Sequence, residues 1–424
     1  MIRRKLLIFF VCLIPLFPYV VSCSVATSTG KPPANSSPAV IQSVPLKPKQ
    51  VQTQIREATG REASELQKTT VIEPPAKEAP RPAAVPAPSP NPKPDRALLR
   101  LEGEIKRLAA MAGGTVGVSA LHIESGQLFS FHGGVRFPMA SAYKIPIAVQ
   151  LLRRVDQGEI RLNSIVTLTS HDIHPGSGKL IKTFKKKEAN YSVRELLELM
   201  LLVSDNSASD AILKLAGGPE AVTRAMKDLG IEDITVSRST LNMLADWRGI
   251  SKLPAPEAFC LEKYNRLRDT VPADALEKAQ NRFYTDLRDT ATPDAMTSLL
   301  AMIYDGTVLQ PETTSVLLKI MERCQTGNSR IKGLMPPGMT VANKTGTIGP
   351  GMVNDVAILT LPEGAGHVAL TIFIKISNRS VARQELAMAQ MARYLYDYYF
   401  FQSEDLFGAA ANDTCSASDP PCSR

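Results

Sequence analysis

The sequence predicts an α+β fold in which one antiparallel sheet is assembled from both ends of the folded chain, with an all-helical subdomain inserted between them. Three observations carry this expectation. Strand-like runs appear early (116–123 and 128–132) and again in the last third (340–343, 355–361 and 367–377). The long interval between them carries apolar residues at helical spacing. The two early strands are joined by Glu124-Ser125-Gly126, a turn short enough to force antiparallel pairing. Strands and helices segregated along the chain, rather than alternating, is the α+β pattern.

The elements follow in order. Leu98, Leu101, Ile105 and Leu108 recur at helical spacing and stop at Gly113-Gly114, so order begins near Asp95 with an amphipathic helix. Over 192–203 the residues Val193, Leu196, Leu197, Leu199, Met200, Leu201 and Leu202 nearly encircle a helix, which must therefore be buried. A shorter helix with Ala208, Ala211, Ile212 and Leu215 is closed by Gly217-Gly218. Pro219 opens the next, with Val222, Ala225, Met226 and Leu229 inward and Gly230 at its end. The final helix carries Met388, Met391, Leu395 and Tyr399. Trp247 and the aromatics Tyr394, Tyr396, Tyr398, Tyr399, Phe400 and Phe401 read as core and edge packing.

The ends of the chain are different in kind. Arg3-Arg4-Lys5 precedes an apolar stretch from Leu6 to Val21 that two prolines, Pro15 and Pro18, make unsuitable as a membrane-spanning helix. This reads as an export signal over 1–23. Val20-Val21-Ser22-Cys23 resembles a bacterial lipobox, which implies lipidation of Cys23 and a domain tethered at the periplasmic face of an envelope membrane. Residues 24–94 hold fourteen prolines and few large apolar residues, so they are expected to form a disordered, partly polyproline spacer. The folded domain is then 95–407, and 408–424 is a flexible Ser/Pro/Ala-rich tail. Six cysteines do not make a disulfide scaffold; Cys415 and Cys422 are close enough to pair, and pairing or burial of Cys260 and Cys324 stays open.

The formal net charge is +8, but most of the excess basic residues precede Asp95. The folded part is near neutral, and Lys185-Lys186-Lys187 reads as a solvated loop, so no nucleic-acid surface is expected. His171 and His174 have no third ligand at workable spacing, so neither a metal nor a cofactor is expected.

Three short motifs carry the chemistry. Ser141-Ala142-Tyr143-Lys144 places a hydroxyl and an amine one helical turn apart, close enough for a neutral Lys144 to take the proton of Ser141. Ser204-Asp205-Asn206 stands at the end of a buried helix, where polar residues need a reason; capping of the next helix is one. Lys344-Thr345-Gly346-Thr347 leads off a strand, and its glycine permits close approach to the backbone. Ser204 follows Ser141 by 63 residues, and Lys344 follows by another 140.

Singly these motifs are weak, but together they are the trio of class A β-lactamases and penicillin-binding proteins. The chain resembles the class A β-lactamase family over roughly residues 95–405. Supporting stretches are Tyr191-Ser-Val-Arg-Glu-Leu-Leu, Asp289-Thr290-Ala291-Thr292-Pro293 and Val341-Ala-Asn-Lys-Thr-Gly-Thr. The resemblance implies Ser141 as acylated nucleophile, Lys144 as its base and Ser204 as proton relay to the leaving nitrogen. It implies that Asn206 meets the substrate side-chain amide and that Lys344 and Thr345 face its carboxylate, while Thr347 borders the reacting carbonyl. Arg330 stands where some members anchor that carboxylate, and backbone N–H groups of Ser141 and Thr347 form the oxyanion hole. The implied partner is a β-lactam or a small D-Ala-D-Ala-type substrate met by a monomer. Alternatives are a D-alanyl-D-alanine peptidase and an inactive envelope-binding lipoprotein.

One departure is plain. The family carries the base for deacylation in a Glu-x-x-Leu-Asn stretch, whereas the matching residues here are Arg238-Ser239-Thr240-Leu241-Asn242. An insertion over about 243–287 follows, from which Asp246, Glu257 or Glu262 is expected to supply a substitute if one exists. Arg238 itself is expected near the site, as a candidate for holding an acidic substrate group.

Overall fold

The computed structural model describes residues 96–413. The expected signal, spacer, Cys23, Cys415 and Cys422 lie outside the described residues. Helix α1 (Arg96–Ala112) ends where Gly113 and Gly114 turn left-handed, and leads into the hairpin of β1 (Thr115–His122) and β2 (Gln127–Phe131). A short strand β3 (Phe137–Pro138) and a single 3₁₀ turn, Ala140–Tyr143, deliver the chain into α2 (Lys144–Asp156). The helical region continues through β4 (Ile165–Thr169), α3 (Leu180–Thr183), β5 (Glu188–Ser192) and α4 (Val193–Leu202). Then come α5 (Asn206–Leu215), α6 (Pro219–Asp228), α7 (Thr240–Trp247), α8 (Leu261–Asp269) and α9 (Ala273–Thr285). Strand β6 (Thr290–Ala291) pairs with β3, and α10 (Pro293–Tyr304) and α11 (Pro311–Glu322) close the inserted block. The chain finishes with β7 (Val341–Thr347), β8 (Val353–Thr360), β9 (His367–Lys375) and α12 (Val381–Asp413).

The five-stranded sheet runs β2-β1-β9-β8-β7, antiparallel throughout. β1 pairs with β9 from Thr115↔Lys375 to His122↔Val368, so both chain ends meet in one sheet as the sequence predicts. Strand alternation sorts the faces. On β8, Val353, Ala357 and Leu359 meet Leu101, Ile105, Met388 and Leu395 of α1 and α12, while Val356 and Ile358 join the core of the helical region. Each such fully buried side chain stabilises by roughly 1.5–3 kcal/mol relative to its exposed state, which fixes the register wherever one face is dry.

Two boundaries differ from expectation. β7 continues past 343 to Thr347, because the residues that interrupt its apolar pattern serve chemistry instead. Within the insertion, the end of α7 and α8 enclose a small core of Ala245, Ile250, Phe259 and Tyr264. α12 runs to Asp413, so the expected tail begins inside a helix. Among the described residues Cys260 and Cys324 are both unpaired.

Sheet order leaves β7 at an edge, hydrogen-bonded to β8 on one side only. Its other edge lies against the Ala140–Tyr143 turn, and this contact between sheet and helical region positions the site.

Candidate active site

Ser141 lies in the 3₁₀ turn, not on the helix that follows. The preceding Ala140 holds a left-handed backbone at φ 47°, an uncommon conformation for a residue with a side chain. Gly346 explains the close approach of β7. A Cβ there would stand 2.4 Å from the Met139 carbonyl oxygen and 3.2 Å from the Ser141 amide nitrogen. Only glycine lets the strand edge reach the Ser141 backbone. Ser141 and Thr347 both line a cavity of about 340 Å³ at this contact, which suits the two backbone donors expected of them.

Behind the cavity are two buried amines and one hydroxyl. Lys144 Nζ donates to the Ser204 carbonyl at 2.9 Å, to Ser204 Oγ at 3.1 Å and to Asn206 Oδ1 at 3.1 Å. Lys344 Nζ donates to the same Ser204 Oγ at 3.1 Å and to the Thr345 carbonyl at 2.7 Å. The expected direct contact of Lys144 with Ser141 is not made. Ser141 lies in the turn and Lys144 opens α2, so three acceptors from the Ser204–Asn206 segment take the ammonium instead. Burial, and then the Lys344 cation, push the Lys144 amine well below the usual lysine range. Burial pushes Lys344 down to about 8. Two cations sharing one hydroxyl in a dry site disfavour each other, which favours a neutral Lys144 able to accept a proton.

Local backbone explains why the Ser-Asp-Asn segment is rigid. Ser204 is left-handed at φ 55°. Asp205 caps α5, accepting from Ala208 N at 3.0 Å, and its second oxygen accepts from Leu180 N at 2.7 Å. Asp205 thus caps α5 as expected, while Ser204 and Asn206 on either side of it accept from Lys144. Gly176-Ser177-Gly178, in a loop after β4, lies flat against them. A Cβ at Gly178 would strike Asp205, and one at Gly176 would come within 2.6 Å of Asn206 Nδ2. Ser177 Oγ donates to the Ser204 carbonyl at 2.9 Å. Sequence reasoning missed Ser177; its flanking glycines were the available signal.

Three expected binding residues are placed differently from the simple reading. Thr345 turns to the opposite sheet face from Lys344, as strand alternation requires, and its hydroxyl meets Thr326 Oγ1 at 2.7 Å. It does not face the cavity. Asn206 does line it, with its amide nitrogen donating to the Pro175 carbonyl at 2.8 Å. Arg330 is buried, donating through Nη1 to the Gly346 and Asn354 carbonyls, through Nε to Glu385 and through Nη2 to Thr347 Oγ1 at 2.7 Å. It therefore reaches the site through Thr347. His171 and His174 are engaged elsewhere, on the Phe259 carbonyl and on Asp210.

Arg238 overturns its expected role. Its guanidinium is buried beneath the Phe283 ring and paired with Asp289 at 2.5 Å, Asp246 at 2.6 Å and Asp286 at 3.1 Å. It faces these carboxylates rather than the cavity, so it holds no substrate group. None of the candidate substitutes lines the cavity either: Asp246 is bound by Arg238 and Arg288, and Glu257 and Glu262 lie on the exposed side of the insertion. Asn242 is exposed at the start of α7, outside the cavity lining. What faces Ser141 is one side of α7, namely Thr240, Met243, Leu244, Trp247 and Arg248, at i, i+3, i+4, i+7 and i+8. Thr240 Oγ1 meets the buried Tyr143 hydroxyl at 2.5 Å. Trp247 packs on Gly349, where a Cβ would come within 2.2 Å of its ring, and is braced edge-on by Phe283 and Tyr284 of α9. The insertion thus builds a wall of the cavity, and Trp247 serves both packing and the site.

Comparison with known proteins agrees with this geometry. The chain is 25% identical over 312 residues to beta-lactamase VEB-1 of Pseudomonas aeruginosa, covering 72% of this chain and 91% of that one. It is 26% identical to the extended-spectrum beta-lactamase PER-1 of Pseudomonas aeruginosa, over 70% of this chain and 87% of that one. Among solved structures, a beta-lactamase from Chitinophaga pinensis superposes with a TM-score of 0.58 at 26% identity, covering 70% of this chain and 98% of the other. An ancestral class A beta-lactamase superposes with a TM-score of 0.57 at 27% identity, over 70% and 99%. A family model described as the beta-lactamase enzyme family matches residues 100–399. Trio, topology and family match agree, and the chain belongs to the beta-lactamase enzyme family.

Proposed function

We propose that the protein opens β-lactams by transferring the lactam acyl group to Ser141, and that it releases the acyl group slowly. One observation carries both halves. The Ser204 hydroxyl holds Lys144 and Lys344 on either side, behind a cavity that Ser141 lines and that no carboxylate of the described residues enters.

The chemistry follows from the parts. Ser141 Oγ attacks the lactam carbonyl as a neutral Lys144, turned from its Ser204 and Asn206 acceptors toward Ser141, takes its proton. The new C–O bond forms while the C–N bond breaks, and the proton passes through Ser204 to the leaving nitrogen. Lys344 attracts the substrate carboxylate, and the amides of Ser141 and Thr347 hold the developing oxyanion. Hydrolysis of the ester then needs a base to activate water. General-base assistance contributes typically 10²–10⁴-fold, or about 3–5 kcal/mol, so without it the acyl-enzyme accumulates.

The proposal extends to location. Arg3-Arg4-Lys5, the apolar run and Val20-Val21-Ser22-Cys23 support a monomer anchored through a lipid on Cys23, facing the periplasm on a proline-rich tether.

Intact-protein mass spectrometry after mixing with a penicillin tests the chemistry. The expected result is one adduct on Ser141, lasting minutes, with a burst of about one equivalent before slow turnover. Release of D-alanine from an acyl-D-Ala-D-Ala peptide would move the natural substrate to peptidoglycan. Rapid turnover with no observable adduct would overturn slow release and require a base on a rearranged insertion.

A further inference from the structure

The cavity wall made by α7 ends in a cation with no hydrogen-bond or ion-pair partner among the described residues, whose charge also acts on the buried Tyr264. Arg248, at the C-terminal end of α7, is exposed and is the one formally charged residue among those lining the cavity. Its guanidinium makes no hydrogen bond or ion pair with any described residue. The other arginines around the site are fully engaged: Arg238 and Arg288 with Asp246 and Asp286, and Arg330 with Glu385 and the β7 edge. Helix periodicity sorts the charges. Asp246 lies on the face of α7 turned to Arg238, and Arg248 lies two residues on, on the face turned to the cavity. No acid on the cavity side neutralises it.

Arg248 is also placed at a definite depth. α7 runs along the wall from Thr240, which touches Tyr143 beside the nucleophile, to Arg248 eight residues on. At about 1.5 Å per residue this sets the Arg248 backbone roughly 12 Å further along the wall. Trp247, packed on Gly349, holds the helix end against the segment that follows β7, and Gln280 of α9 lines the cavity there too. Lys344 attends to a carboxylate beside the reacting carbonyl, so a second cation down the wall addresses a second anionic group, on the acyl side of the substrate.

We infer that Arg248 is the anion-recognising residue of an acyl side-chain subsite, which selects substrates carrying a carboxylate at the far end of the acyl group. The inference rests on the acylation reading above. The same chemistry is offered by a β-lactam with an acidic side chain and by a stem peptide with a free side-chain carboxylate.

The test compares acylation of Ser141 by 6-adipoylaminopenicillanic acid and by its adipoyl methyl ester, which differ in one charge. A second arm compares D-alanine release from adipoyl-D-Ala-D-Ala and its adipoyl methyl ester. The expected wild-type preference for the free acid is about 5-fold, the size of one solvent-exposed charge pair. The preference vanishes in Arg248→Ala, persists in Arg248→Lys and shrinks in high salt. Preference in the penicillin arm alone assigns the subsite to β-lactams, and preference in the peptide arm assigns it to stem peptides. An acid-to-ester ratio equal in wild type and Arg248→Ala in both arms overturns the inference while leaving acylation intact. If neither penicillin labels Ser141, the acylation reading fails and the inference falls with it.

Discussion

Replacing Arg238 with glutamate, the residue expected there from the family, should not create a faster enzyme. Three carboxylates already surround position 238, from Asp246, Asp286 and Asp289, and its side chain points into them beneath Phe283. A fourth carboxylate would be buried among like charges instead of reaching the cavity. Arg238→Ala isolates the simpler effect. It strands Asp289, which is 1% exposed and whose carboxyl is pushed up by burial against the pull of Arg238. Removing one partner of a buried ion pair costs about 3–5 kcal/mol. Unfolding entropy near 2.1 cal/mol/K per residue, over roughly 300 residues, converts this into a fall in Tm of about 5–8 °C. Far-UV circular dichroism melts read it directly, and Arg238→Glu should fall further. The sign with pH also follows. An ionised, unpartnered Asp289 destabilises and a protonated one does not, so the Arg238→Ala deficit shrinks as pH falls and grows as pH rises through the raised folded-state pKa. Adding Asp289→Asn to Arg238→Ala should recover part of the loss. An Arg238→Ala melt within 1 °C of wild type, or a tenfold gain in penicillin turnover by Arg238→Glu, would refute the reasoning.

Three further outcomes are expected. Acylation needs Lys144 neutral and Lys344 charged, so the second-order acylation rate should rise from acid pH and fall again near pH 8, where Lys344 loses its proton. Lys344→Arg should abolish the descending limb, and a wild-type rate still level at pH 9.5 would count against this assignment. Gly346→Ala forces a Cβ onto backbone atoms of Met139, Ala142 and Ser141, so acylation should drop on the order of 10²–10³-fold, as for loss of an oxyanion donor; stopped-flow measurement within threefold of wild type would remove the close-approach argument. Cys23→Ser should release the protein from membranes on cell fractionation, and continued partitioning would contradict lipidation at that residue.

The sheet was legible because its signals are local. Turn residues Glu124-Ser125-Gly126 and the apolar runs of β1, β8 and β9 mark the strands and the two local pairs, β1–β2 and β8–β9, whereas the β1–β9 pair joins the two chain ends. β7 was read short because Lys344 to Thr347 break its apolar pattern, and a strand that carries chemistry violates patterning where it is used. The nucleophile, both lysines and Ser204 were legible as a spaced motif, but their contacts were not. Nothing in Ser-x-x-Lys says that Lys144 turns to Ser204, since that depends on the left-handed backbone of Ser204 and on Ser141 lying in a 3₁₀ turn. The fate of Arg238 was illegible for a different reason. Its partners Asp286 and Asp289 lie 48 and 51 residues away, across the insertion, and only the fold brings them together.

That insertion gives the departure at position 238 a physical meaning. α7 turns one face to the cavity and the other to a buried charge cluster, and the two faces have been given opposite tasks. The inward cluster uses Arg238 and three aspartates to fasten α7 to the segment that re-enters the sheet region at Asp289. The cavity face carries a hydroxyl, three apolar residues and one cation, with no acid. A base for water therefore cannot be restored at 238 without dismantling the cluster that orients the wall. Arg238 therefore anchors the wall, while the slow release proposed above rests on the other face of α7, which brings no acid to the cavity among the described residues. Slow release and an anion-recognising Arg248, both as proposed, would together favour capture of a particular substrate over rapid turnover of many.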